Sequence, residues 1–203
     1  MNSFTKIAGC SAFSLVLCLC APLFAQPYQG KLNSQAVDEA FALGQRKDQD
    51  TDAFLAQYFH RFPTPPRGPS ISSIELLTPY AHVVTRAMAM GNETVFDLER
   101  KYGSRAGSIQ LTVRVSSTPT YMLPYSNDAV WNEFAITASQ VHALKIKRKR
   151  LNRVYRGDDG GPDYADMILR LNAEEVASAP IKIEVSTKDG QHVEATFDLS
   201  KLK

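Results

Sequence analysis

The segment from Lys145 to Arg156 has the residue types that bind anions. Seven of its twelve residues are basic and none is acidic. Clustered lysine and arginine side chains attract phosphate, acidic polysaccharide or acidic lipid headgroups within a Debye length, about 8 Å at physiological salt. The pattern indicates an anion- or glycan-binding strand whose contact residues are Lys145, Lys147, Lys149 and Arg153. The simpler interpretation is a charged edge strand, because lysine at a sheet edge hinders pairing with another chain.

A cluster of carboxylates follows directly. Asp158, Asp159 and Asp163 lie around a glycine-rich turn, and such oxygen ligands suit a calcium ion. The spacing differs from that of the EF-hand loop, and aspartate and glycine are also ordinary turn residues. A metal site at these three residues is therefore a hypothesis beside a simpler one, an exposed loop whose acids neutralise the basic segment. We predict no cofactor.

The stretch from Tyr121 to Trp131 gathers aromatic side chains between two predicted strands. Tyr121, Tyr125 and Trp131 could line a ligand-binding loop, because binding residues are often carried on loops. They could equally close one end of the fold with bulky side chains. The sequence leaves both interpretations open.

The motifs of common enzyme classes are missing from the sequence. It has no Gly-x-Ser-x-Gly elbow, no phosphate-binding glycine loop and no His-Glu-x-x-His. None of its four histidines has another histidine three or four residues away, the spacing that metal ligands on one helix face need. A hydrolytic enzyme remains an alternative if His82, His142 or His192 converges with the carboxylates of residues 158–166. The sequence favours a protein without catalytic activity.

The N-terminal segment predicts export. Lys6, the uncharged apolar run from Ile7 to Cys20 and the small residue Ala25 have the order of a signal peptide over residues 1–25, cleaved after Ala25. The apolar run is shorter than the roughly 20 residues of a membrane-spanning helix. We therefore expect a periplasmic or extracellular protein with no transmembrane span in the mature chain.

Cysteine content and charge narrow the class further. All three cysteines lie within residues 1–25, so the mature chain has no disulfide and must be held together by burial. The formal charge is +2, and loss of Lys6 leaves +1. This balance argues against a nucleic-acid-binding protein, and so does the single aromatic residue, Tyr155, in the basic segment.

Residues 34–103 read as a helical portion that follows a flexible leader, residues 26–33. The apolar spacing predicts one helix from Ser34 and a second that extends to Phe62. Residues 63–69 form a proline-rich connector. Ser72 and Glu75 match a capping box, and Thr78-Pro79 marks a further helix start.

Residues 104–203 have the period-two pattern of strands instead. Apolar and polar residues alternate from Ile109 to Val115, and shorter alternations follow up to Phe197. Asp189-Gly190 predicts a hairpin turn. Helices followed by antiparallel strands indicate an α+β fold, in which the C-terminal portion is an antiparallel β-sandwich of immunoglobulin-like character.

Three phrases carry a resemblance to a known group of proteins. They are residues 73–81 (SIELLTPYA), 172–180 (NAEEVASAP) and 196–202 (TFDLSKL). On these the chain resembles a family of uncharacterised exported proteins from Acidobacteria. The resemblance implies a bacterial source and implies no site residues. The sequence therefore predicts an exported, non-catalytic binding or envelope-associated module, whose partner is an envelope protein or an anionic polymer and not a nucleic acid.

Overall fold

A computed structural model describes residues 28–89, 94–103, 107–155 and 163–203. The predicted signal peptide with its cleavage site at Ala25 lies outside these residues, as do Asp158 and Asp159. The helices are α1 Ser34–Arg46, α2 Gln49–Ala56, α3 Pro79–Ala89, α4 Val95–Leu98 and α5 Asn127–Glu133. The strands are β1 Phe59–Arg61, β2 Ser70–Leu77, β3 Ser108–Ser116, β4 Phe134–Ser139, β5 Ile146–Val154, β6 Tyr164–Asn172, β7 Pro180–Thr187 and β8 His192–Asp198.

The strands form two antiparallel sheets. The five-stranded sheet has the order β1-β2-β3-β6-β5, and the three-stranded sheet has the order β4-β7-β8. The predicted α+β class, with helices followed by antiparallel strands, is confirmed. The hairpin at Asp189-Gly190 is confirmed too, since it joins β7 to β8 and Gly190 has a φ of 91°.

One hydrophobic cluster lies between the two sheets. It contains the inward residues of β3, such as Leu111 and Val113, together with Ile183 and Phe197 from the three-stranded sheet. The ring of His60 on β1 packs edge-on against Phe197, with 4.8 Å between the ring centroids. Both sheets therefore bury their inner faces in a common core, while α1 and α3 pack against each other around a second cluster that includes Val37 and Val84.

Two helix predictions in residues 34–103 are wrong. The capping-box motif at Ser72 and Glu75 lies within β2, because Ile74 and Leu76 bury their side chains in the core as strand residues. The aromatic helix that was expected to reach Phe62 ends at Ala56 instead, and β1 follows. Local helix signals were overridden by pairing with β3, and this region contributes two strands to the larger sheet.

The proline-rich connector, residues 63–69, contains no helix or strand, as expected. It joins β1 to β2, whereas the sequence suggested a link between a helix and the core. Among the described residues, no helix is long and apolar enough to cross a membrane.

The leader packs onto the rest of the fold where the structure describes it, at residues 28–33. Tyr28 is buried, and its hydroxyl donates a hydrogen bond of 3.0 Å to the carbonyl of Ala173. Leu32 is buried in the helical cluster. Burial raises the pKa of Tyr28 well above its usual value. Two apolar side chains thus hold this segment in place, a role that its polar neighbours concealed in the sequence.

Candidate functional site: a basic cleft at the edge of the larger sheet

The basic segment forms β5, which lies at the edge of the five-stranded sheet. A register shift between Arg148 and Arg150 leaves Lys149 as an extra residue opposite β6. Such a bulge bends the strand and interrupts the ladder, and so it discourages pairing along the open edge. The basic segment therefore lies at a sheet edge, as its interpretation as a charged edge strand requires.

The bulge also sorts the basic side chains between the two faces of the sheet. Lys147 is opposite the exposed Arg170, so both lie on the outer face. Arg148 and Arg153 are opposite the buried residues Leu169 and Ala165, and so they lie on the inner face. The basic side chains therefore do not form one continuous stripe.

Lys147 and Arg170 place two positive charges directly opposite each other. Like charges in this position destabilise a sheet. Neither side chain forms a salt bridge with any carboxylate in the described part of the chain. The pair is therefore a positive site on the outer face, without a salt bridge to any described carboxylate.

A cleft of about 340 Å³ opens beside this pair. Its lining comes from the start of β3, the end of β6 and the start of β5: Gly107, Ser108, Lys145, Lys147, Arg170, Leu171, Asn172 and Glu175. Asn172 donates a hydrogen bond of 3.0 Å from Nδ2 to a carboxylate oxygen of Glu175. The cleft thus combines three cations with groups that can donate or accept hydrogen bonds.

The wall of the cleft at Gly107 is fixed. Its N–H donates to the carbonyl of Gly30 at 2.9 Å, and its carbonyl accepts from the N–H of Ala173 at 3.3 Å. A Cβ at this position would lie 2.5 Å from Cγ of Pro79. The leader and α3 approach the start of β3 so closely at this point that only glycine fits. Their contacts hold the cleft in shape.

The other predicted anion ligands have different roles. Arg153 donates to Asn127 Oδ1 at 3.1 Å and to the carbonyl of Pro124 at 2.5 Å, so it anchors the loop before α5. Lys149 is exposed at the bulge and does not line the cleft. The structure brings together Lys145 and Lys147 from the predicted set, and it adds Arg170, which sequence analysis missed because its strand is distant in the chain.

The aromatic residues do not form one surface. Trp131 belongs to α5 and is 9% exposed, and the guanidinium of Arg148 lies 5.2 Å from its ring centroid. Tyr121 packs against the core, and burial raises its pKa to about 12. Tyr125 is 64% exposed. α5 was missed, although Ser126 caps it through a hydrogen bond from the N–H of Ala129, a pattern that the sequence contains.

The acidic loop is described only in part. Asp163 is tied through its backbone, with its N–H donating to Val154 at 2.9 Å and its carbonyl accepting from Ser117 at 2.8 Å. Asp166 lies on β6 and accepts two hydrogen bonds from Arg114, at 2.7 and 2.9 Å. Asp166 is therefore occupied by an arginine, and the calcium hypothesis stays a prediction for Asp158, Asp159 and Asp163.

The histidines lie on different elements. His82, on α3, is 3.2 Å from the hydroxyl of Tyr102, and His142 lies in the exposed turn after β4. His192, on β8, is one of three potential metal ligands, with Glu184 and Glu194, whose donor atoms lie within 4.8 Å of one another. The sequence search for helical spacing missed this group because it spans two paired strands.

An internal cation already occupies that group. Nζ of Lys182 lies 2.9 Å from Glu184 and 2.8 Å from Glu194. The hydrogen bond from Lys182 lowers the pKa of Glu184, and hydrogen bonds to Glu194 and Glu184 raise the pKa of Lys182. On the outer face of the three-stranded sheet each of these carboxylates therefore has a cationic partner, unlike the cations of the cleft.

No family model matches this chain, and neither does any curated protein or solved structure.

Proposed function

We propose that this chain is an exported, non-catalytic binding protein that holds an anionic glycan in the basic cleft. The observation that carries the proposal is the directly opposed pair of Lys147 and Arg170, with Lys145 lining the same cleft. The sheet bears the repulsion of this pair in the free protein. An anion bound between the cations would relieve it.

The other groups in the cleft favour a sugar over a simple anion. Ser108, Asn172 and Glu175 offer hydrogen-bond donors and acceptors that match sugar hydroxyls. The carboxylate of an acidic sugar would face Lys147 and Arg170. A volume of about 340 Å³ is at the lower end of small-molecule sites, which suits a single residue of a longer polymer.

The place of action follows from the predicted signal peptide, residues 1–25. We propose that the mature chain works in the periplasm or outside a bacterial cell, where acidic polysaccharides are accessible. We also propose an immunoglobulin-like character for the sandwich portion, residues 104–203, on the basis of its strands β3 to β8 in two antiparallel sheets and its closing hairpin.

Calorimetric titration tests the proposal. Residues 26–203 are titrated with polygalacturonate and with neutral dextran, at low and at high salt. We expect binding to polygalacturonate only, weakened by salt because the attraction is screened. The double variant Lys147→Ser/Arg170→Ser should bind about ten-fold more weakly or not at all.

A second double variant controls for net charge. Lys31→Ser/Lys188→Ser removes two exposed cations outside the cleft. This variant should bind like the unaltered chain. If both double variants lose affinity equally, attraction to the whole protein explains binding and the cleft proposal is wrong.

A further inference from the structure

Strand β4 has one side of its backbone open to pairing. β4 pairs only with β7 among the described strands. The carbonyl of Ala138 accepts a hydrogen bond of 2.8 Å from the N–H of Leu144, so it points away from β7. Hydrogen-bonding direction alternates along a strand, and the N–H and C=O of Ile136 therefore also point away from β7. No other described residue hydrogen-bonds to them.

The β7–β8 hairpin gives the same assignment independently. The N–H of Thr187 donates to the carbonyl of Gln191, so Thr187 directs its backbone groups toward β8. Alternation then directs Ser186 and Glu184 toward β4, where they oppose Ala135 and Thr137. The backbone N–H and C=O of Ile136 therefore point away from β7, in agreement with the direction of the Ala138 carbonyl.

The segment after β4 covers this edge at Ala138 through Leu144, but β4 itself lacks three of the features that usually block an edge. Its residues, Phe134 to Ser139, include no charge and no proline, and its register with β7 has no bulge. Edge strands without these features are sites where another chain can add a strand. β5, at the neighbouring edge of the other sheet, has both a bulge and several cations.

The surroundings of β4 provide side-chain pockets for an added strand. Two depressions, of about 260 and 250 Å³, share a lining of Trp131, Phe134, Ala135 and Arg148. Val141, just beyond β4, is 89% exposed. It is presented by a fixed turn, because the side chain of Gln140 accepts from the N–H of Ala177 at 3.0 Å and donates to its carbonyl at 2.9 Å.

Charge selects the occupant of this edge. Arg148 lines both depressions. The larger one is also lined by Lys188 and by one carboxylate residue, Glu133, so two positive charges face one negative charge there. Exposed cations of β5, among them Lys149 and Arg150, lie on the adjacent sheet edge. A second copy of the chain would bring the same cations toward these, whereas an acidic segment would be attracted.

We infer that β4 is a docking edge for an extended, acidic segment of a partner protein, which adds a strand beside Ile136 and extends the three-stranded sheet. The backbone of the segment bonds to Ile136. Its small apolar side chains enter the depressions beside Trp131, and its carboxylates face Arg148 and Lys188. This surface is distinct from the basic cleft, and the inference does not rest on the proposed function.

Backbone NMR with a defined peptide tests the inference. The probe is a capped peptide of about eight residues that alternates glutamate and valine, with a lysine–valine peptide as its counterpart. We expect the acidic peptide to slow exchange of the Ile136 amide and to shift the signals of β4. The lysine peptide should bind about ten-fold more weakly.

Proline at position 136 removes the open N–H while leaving the bonds between β4 and β7 intact. Ile136→Pro should therefore abolish peptide binding and keep a cooperative thermal transition, since proline is tolerated where an edge N–H faces solvent. Ile136→Ala truncates the same side chain and keeps the N–H, so this matched control should still bind. Loss of binding in both variants would assign the effect to the side chain and overturn strand addition.

The basic-cleft variant separates this surface from the cleft. Lys147→Ser/Arg170→Ser should bind the acidic peptide normally, and a loss there would place the peptide in the cleft and contradict the inference. Sedimentation tests the remaining occupant. A dimer that disappears in Ile136→Pro would show that β4 pairs with a second copy, which would overturn the choice of an acidic partner.

Discussion

The edge strands β5 of the larger sheet and β4 of the smaller sheet differ in what they offer to another molecule. The five-stranded sheet exposes two opposed cations, Lys147 and Arg170, that form no salt bridge with a described carboxylate, although Arg114 and Asp166 pair elsewhere on the same sheet. The three-stranded sheet pairs its exposed Lys182 with Glu184 and Glu194, but leaves the backbone of β4 open at Ile136. The difference suggests two kinds of recognition in one molecule, by charge at one edge and by backbone hydrogen bonds at the other.

The largest expected effect on stability comes from a substitution that disrupts the pairing of β4 with β7. Thr137→Pro removes an N–H that faces β7, whereas Ile136→Pro removes one that faces solvent. Thr137→Pro should lower the free energy of unfolding by about 1–3 kcal/mol, because it removes a ladder hydrogen bond and leaves a carbonyl of β7 without its partner. Ile136→Pro should cost much less. Urea denaturation measures both, and equal losses would show that β4 has no open side.

A smaller effect comes from the contact that joins the two edges. The guanidinium of Arg148 on β5 lies over Trp131 and donates to its carbonyl at 3.2 Å. Arg148→Ala should cost about 1 kcal/mol and Arg148→Lys less, since lysine keeps the charge above the ring. Trp131 is the sole tryptophan, so the fluorescence spectrum reports on this contact directly. An unchanged spectrum in Arg148→Ala would remove the link between the edges.

The smallest effects concern pH and should have opposite signs on the two sheets. Burial raises the pKa of Glu75, on β2 of the larger sheet, above 4.5. Its contribution to stability is present below pH 4.5 and is lost as pH rises through the folded-state pKa. Glu75→Gln should therefore gain stability relative to the unaltered chain as pH rises from 4.5 through the folded-state pKa of Glu75.

The hydrogen bond from Lys182 lowers the pKa of Glu184 on the smaller sheet below 4.5. Its contribution is present above pH 4.5 and is lost as pH falls through the folded-state pKa. Glu184→Gln should lose stability relative to the unaltered chain as pH rises through this window, and only slightly because the pair is exposed. Thermal melts across pH compare the two variants, and shifts of the same sign would contradict the contrast between the sheets.

The sequence predicted those elements whose side chains repeat with a clear period. β3 alternates without interruption from Ile109 to Val115, and α3 begins at Pro79, where the sequence marks a helix start. β2 was misassigned because its bulge between Ile71 and Ser73 disturbs the alternation and leaves a helix-capping pattern. The period was lost where the backbone departs from regular geometry.

Two of the three cations of the candidate cleft were predicted from the sequence. Lys145 and Lys147 stood out because basic residues follow each other along β5. Arg170 and Asn172 did not, because they reach the cleft through antiparallel pairing of β6 with β5. The direction of each basic side chain also depends on the bulge at Lys149, and no local pattern revealed that extra residue.

That extra residue has a consequence for how the gene can change. Loss of the Lys149 codon would leave Arg148 opposite Leu169 and Arg150 opposite Ile168 as they are now, so every other side chain would keep its face. The strand would become regular and its open edge straight. A single in-frame deletion that leaves the core unchanged would thus remove one of the two features that hinder pairing at this edge, the bulge, while the other cations of β5 remain.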